Sequence, residues 1–73
     1  MKISARNVIA GKVIEVKEGV VTANVLVDVG GGNTITSSIT MESLSSLELT
    51  KGMEVFAVIK ASDVMIGVEH HKR

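Results

Sequence analysis

The chain reads as all-β: a five-stranded Greek-key barrel of the OB type, with one short helix between the third and fourth strands. Three observations carry this reading. Val is the commonest residue, with twelve copies among 73 residues, and β-branched side chains favour strands. Apolar and polar residues alternate with a period of two along much of the chain. Proline is absent, so punctuation falls to glycine, and glycines fall between the alternating runs.

The clearest strand runs from Val20 to Val29. Val21, Ala23, Val25, Val27 and Val29 share one face; Thr22, Asn24 and Asp28 share the other, with Leu26 the exception. Before it, Val8 to Lys17 forms the first strand, with Gly11 as a bend or bulge, and Lys17-Glu18-Gly19 joins the two as a hairpin. Gly30-Gly31-Gly32-Asn33 is the strongest turn signal. It leads to a third strand, Thr34 to Met41, in which Ile35, Ile39 and Met41 alternate with Thr34, Thr36, Ser38 and Thr40. Glu42 to Leu47 suits a short helix, with Thr40 as its N-cap and Leu44 and Leu47 on one side. After a turn at Thr50-Lys51-Gly52 come the last two strands, Met53 to Lys60 and Asp63 to Val68. Both are apolar on both faces, so one face is expected to fill the barrel and the other to meet another subunit. An SH3-like barrel is the competing topology, and periodicity does not separate the two. Residues 1–68 are read as one domain, and Glu69 to Arg73, which includes His70 and His71, as a polar frayed tail.

Composition narrows the function. A domain this short buries roughly 60 % of the surface its unfolded chain exposes, and no cysteine is present to staple it. Yet 45 % of its residues are hydrophobic and 22 % charged, an apolar surplus that predicts an oligomer. The formal net charge is zero and Phe56 is the only aromatic residue, which argues against a nucleic-acid surface of basic patches and stacking rings. No apolar run approaches the ~20 residues of a membrane span, and the opening residues lack a signal-peptide core. A cytoplasmic protein is expected. Catalysis is not: there is no cysteine nucleophile, the only histidines are His70 and His71, and no serine has a base at a recognisable spacing. No bare cation site is expected, because two adjacent histidines at a chain end lack a preorganised partner.

Two segments stand out. In Ser4-Ala5-Arg6-Asn7, an extended backbone sets Ser4 and Arg6 on one face, with the Ala5 N–H beside them. In Lys60-Ala61-Ser62-Asp63, Lys60 and Ser62 have the same relation. Together they offer a guanidinium, an ammonium and two hydroxyls, all hydrogen-bond donors. On composition alone, these are also ordinary solvated charges and turn-forming serines.

Ser4-Ala5-Arg6-Asn7, Gly11-Lys12-Val13, Gly19-Val20-Val21-Thr22-Ala23, Ile39-Thr40 and Val58-Ile59-Lys60-Ala61-Ser62-Asp63-Val64, in this order and spacing, resemble the molbindins. These are small molybdate- and tungstate-binding proteins, also called molybdopterin-binding-like or Mop proteins. The resemblance covers residues 1 to 68. It implies an OB-type barrel, a homo-hexamer built as a trimer of dimers, and oxyanions held at subunit interfaces without a catalytic cofactor. Carried over, Ser4, Ala5 and Arg6 match the opening oxyanion motif, and Lys60, Ala61 and Ser62 the closing one. Thr40 matches a hydroxyl near the same anion. Gly19, Val20 and Thr22 are assigned to a second site on the threefold axes. Ser62 stands where many relatives carry Thr, and the hydroxyl is retained.

The residue types suit the implied ligand. Molybdate and tungstate near neutral pH are tetrahedral dianions that accept hydrogen bonds and carry no proton. A donor-only site leaves none of its own groups unpaired, and Arg6 and Lys60 balance two negative charges. Storage and homeostasis of the ion follow as the expected role. The readings of other classes are an OB-fold nucleic-acid module and a molybdate-responsive regulatory module. A pterin ligand ranks below the bare oxyanion, since one Phe is a poor stacking supply.

Overall fold

The computed structural model describes residues 1–70. His71, Lys72 and Arg73, part of the tail expected from the sequence, lie outside the described residues. Four strands form one curled antiparallel sheet: β1 (Asn7–Glu18), β2 (Thr22–Gly30), β3 (Asn33–Thr40) and β4 (Glu54–Ile59), with helix α1 (Met41–Ser46) between β3 and β4. The sheet order is β3-β2-β1-β4. Three consecutive strands followed by a fourth that returns beside the first is the Greek-key arrangement. With the helix in the returning connection, it is the OB-type rather than the SH3-like course.

Alternation sets the faces as the sequence predicts. Ala23, Val25 and Val27 of β2 point inward, and Val25 and Val27 pair with Val16 and Val13 of β1 and with Ser37 and Ile35 of β3. Val13, Ala23, Val25, Val27 and Leu44 make the buried core, with Val16, Ile39, Met41, Leu49 and Val55 packed against it. The outer face of β2 and β3 is a ladder of Thr22, Asn24, Thr34, Thr36, Ser38 and Thr40.

Several expectations change. The second strand starts at Thr22, not Val20. Val20 and Val21 form the hairpin tip and are 97 % and 70 % exposed. The bulge in β1 falls between Val13 and Glu15, not at Gly11. Gly11 serves a close approach: a Cβ there would lie 2.5 Å from Val27 Cγ1 and 2.7 Å from the Asp28 carbonyl oxygen. Leu47 does not share the buried side of α1 with Leu44; it is the C-cap and is exposed.

The end of α1 explains Leu47. The Leu49 N–H donates to the Leu44 carbonyl and the Glu48 N–H to the Ser45 carbonyl, the paired bonds of a Schellman ending. That ending demands a left-handed residue, and Glu48 supplies it at φ 53° without being glycine. Glu48→Gly is therefore expected to raise the unfolding free energy by about 0.5–1 kcal/mol, read as a higher urea midpoint at unchanged slope.

The fifth strand is the largest difference. After β4 the chain makes one 3-10 turn, Ala61–Asp63, and residues 64–70 then run without strand pairing. Met65, Ile66 and Val68 are 93 %, 87 % and 89 % exposed. The sheet consequently stays open between β3 and β4. The opening is an apolar trough of about 620 Å³, flanked by Ile35 and Ile39 on one side and Val55, Ala57 and Ile59 on the other. The radius of gyration, 14.3 Å, exceeds the roughly 11 Å of a compact chain of this length, because the last segment projects.

Candidate functional site

The two donor segments meet at one end of the β1–β4 pair. The antiparallel register runs from Lys12↔Glu54 to Asn7↔Ile59, and there the ladder stops. Arg6 and Lys60 are the first residues beyond the two strands at this end, followed along the chain by Ala5 and Ala61, then Ser4 and Ser62. The pairing of β1 with β4 thus joins two motifs that lie more than fifty positions apart in the chain. Ala5 is half-buried, and Ser4, Arg6, Lys60, Ala61 and Ser62 are exposed. One chain therefore presents an open cluster of donors, not a closed pocket.

Local bonding shapes the second segment. Lys60 caps the 3-10 turn in an extended conformation, and its carbonyl accepts from the Asp63 N–H at 2.9 Å. The one long-range side-chain hydrogen bond among the described residues also lies here: Asn7 Nδ2 donates to the Ile59 carbonyl at 3.2 Å. Asn7 follows Arg6 directly, and Ile59 directly precedes Lys60. Asn7 belongs to the Ser4–Asn7 motif, yet nothing in the sequence marks its role, because only the register reveals its partner.

Thr40 is elsewhere. It pairs with Thr22 at the far end of the sheet, and the Met41 N–H donates to the Val21 carbonyl at 2.8 Å. Twelve-residue β1 separates that end from Arg6, roughly 35 Å along the strand. Thr40 therefore gathers with Gly19, Val20 and Thr22, not with Arg6 and Lys60 of the same chain. Its hydroxyl is the N-cap expected from the sequence, accepting from the Ser43 N–H at 3.0 Å and donating to Ser43 Oγ at 2.9 Å. Ser43, which the sequence did not single out, is left with its own O–H to donate. Among the described residues, no three His, Cys, Asp or Glu side chains come together to hold a metal ion. No helix of the described residues is long and apolar enough to cross a membrane.

Fold and site together define a class: a small OB-type domain with a donor-rich end and an unfilled seam. The chain belongs to the TOBE domain family, whose model matches residues 3–66. It is 48 % identical over 69 residues to a probable molybdenum-pterin-binding protein of Haemophilus influenzae, covering 94 % of this chain and all of that one. Its structure is similar to that of MopII from Clostridium pasteurianum, with TM-score 0.86 and 49 % identity, over 92 % of this chain and all of the other. A molybdate-binding protein from Sporomusa ovata superposes with TM-score 0.87 at 34 % identity, over 93 % of this chain and all of the other. The molbindin resemblance drawn from the motifs is borne out, and so is the all-β, OB-type fold with its single short helix.

Proposed function

We propose that this protein binds molybdate, and tungstate with it, at contacts between copies of the chain, and stores the ion in the cytoplasm without altering it. The observation that carries the reading is the end of the β1–β4 ladder at Asn7↔Ile59, from which Arg6 and Lys60 are each one residue away and Ser4 and Ser62 two residues further. A tetrahedral dianion has only acceptors to offer, and this cluster has cations, hydroxyls and backbone N–H groups to meet them. The name of the Sporomusa ovata neighbour points to the same ligand, and that of the Haemophilus influenzae relative to molybdenum held with a pterin.

Self-association completes the proposal. The exposed Val64, Met65, Ile66 and Val68 of one copy and the open seam of another are the apolar surfaces that assembly buries. Each such side chain contributes about 1.5–3 kcal/mol when fully covered, enough to stabilise a domain with so small a core. The segment begins two residues after Ser62, so its contact draws the donor cluster into the interface. Thr40 of one chain joins the Arg6–Lys60 cluster of another, because the sheet holds the two apart within a chain. A homo-hexamer, arranged as a trimer of dimers, is the assembly expected. The Gly19-Val20 tip with Thr22 forms the second, threefold-axis site in that assembly.

Calorimetric titration with molybdate, tungstate, sulfate and phosphate tests the function. Saturable binding of the first two with little heat from the others is expected; equal heats from all four would contradict it. Salt separates this reading from a nucleic-acid contact. Between about 50 and 200 mM salt, a contact with 6–10 phosphates loses about 10³–10⁵ in affinity, whereas two cations on one dianion are expected to lose about tenfold or less.

A further inference from the structure

We infer that Asn7 is a positioning residue for the oxyanion site: its amide fixes the separation of Arg6 and Lys60, and so the size of anion that both can grip. The inference rests on the functional reading above and adds a residue to it.

The geometry is simple. Strand pairing between β1 and β4 ends at Asn7↔Ile59. Beyond that pair no backbone hydrogen bond joins Ser4–Arg6 to Lys60–Asp63; the bonds of the second segment are local, from Asp63 to Lys60 and from Val64 to Ala61. Two exposed cation-bearing segments thus leave the sheet side by side with no ladder between them. The last tie before they part is the Asn7 Nδ2 bond to the Ile59 carbonyl, 3.2 Å long, bridging residues 52 apart in sequence. The other side-chain hydrogen bonds among the described residues span two or three positions and close turns or cap α1. Asn7 is also half-buried while Arg6 and Lys60 are exposed. The tie is therefore better shielded from competing water than the groups it places.

The chemistry of position 7 is restrictive. Its partner is a carbonyl, which only accepts, so the side chain must donate. Aspartate has the same shape, but its ionised form would set a carboxylate against that carbonyl and beside a dianion. Lysine or arginine would donate but add a third cation to a site whose two charges already balance the ligand. Serine is too short to span the strands. Asparagine is the short, neutral donor that closes the gap and leaves the charge balance to Arg6 and Lys60. A ligand held by two cations at fixed separation is selected by its radius, and loosening that separation lowers the penalty for the smaller sulfate.

The readout is therefore the ratio of sulfate to molybdate dissociation constants, measured on the full-length chain alongside its thermal midpoint. Asn7→Ala is expected to weaken molybdate binding about tenfold, the cost of one net hydrogen bond's worth of organisation, and to weaken sulfate less, so that the ratio falls. Asn7→Gln, which keeps the neutral amide donor, is expected to recover part of the ratio. Asn7→Leu, which keeps the branching at Cγ and has no donor, replaces the alanine variant if that chain does not fold. An unchanged molybdate constant in the donor-free variant overturns the inference. So does an equal loss for both ions accompanied by a lower thermal midpoint, which would make Asn7 a stabilising residue only. If the unmodified chain itself binds no molybdate, the functional reading fails and this inference with it; normal binding by the unmodified chain isolates any failure to Asn7.

Discussion

Arg6→Ala and Lys60→Ala are each expected to weaken molybdate binding by about 2–5 kcal/mol, from roughly 30-fold to several thousand-fold in the dissociation constant. The magnitude decides between two pictures. Both side chains are exposed in a single chain. A cation that stays exposed when the ligand binds contributes about 0–1 kcal/mol, because water and salt screen it. A loss of several kcal/mol arises only when a second copy covers the cluster and the truncated contact leaves the dianion's charge unmet in a desolvated site. Arg6→Lys refines the test. It keeps the charge and loses the planar fork, so an intermediate loss is expected if the guanidinium holds two oxygens at once. Direct titration of the three variants measures all of this, and losses below about 1 kcal/mol would leave the cluster a solvated rim.

Ile66→Asp is expected to abolish assembly while leaving the single chain folded. Ile66 is 87 % exposed and lies outside every strand, so in an isolated chain a charge there costs little, within about 0.5 kcal/mol. If Ile66 is covered by another copy, the same substitution buries a carboxylate in an apolar trough flanked by Ile35, Ile39 and Val55. Native mass and far-ultraviolet circular dichroism separate the cases. Loss of the oligomer with a retained β spectrum, and with weakened molybdate binding, is the expected outcome. An intact oligomer would exclude the projecting segment from the interface.

Most of the fold is legible in the sequence because burial on one face leaves a period of two. β2 illustrates this: Ala23, Val25 and Val27 alternate with Asn24 and Asp28, and the former are buried while the latter are exposed. The failures share a cause. Residues 63–68 are apolar enough for a strand, but apolarity supplies no hydrogen-bonded neighbouring strand, and the segment finds none among the described residues of its own chain. Gly11 announces a special position, and the sequence does not say whether that is a kink or the close passage of Val27. The bulge itself lies at Ile14, in a run with no glycine to mark it. Leu44 and Leu47 have helical spacing, yet the Schellman ending carries Leu47 off the helix before it can reach the core.

The site divides in the same way. Each half, Ser4–Arg6 and Lys60–Ser62, is readable as a run of donors, and register alone joins them. Asn7 has no visible partner in the sequence, because its bond reaches 52 residues along the chain. Thr40 is visible as a helix cap, and its place at the far end of the sheet follows only from the pairing with Thr22.

Native mass spectrometry of the purified chain, with molybdate or with sulfate added, tests most directly whether an oxyanion sits at the contact between copies. The expected result is a species of six times the 7.7 kDa chain that gains whole molybdate ions and little sulfate. A monomer that takes up molybdate as well as any larger species, or an oligomer that takes up both anions alike, would contradict it.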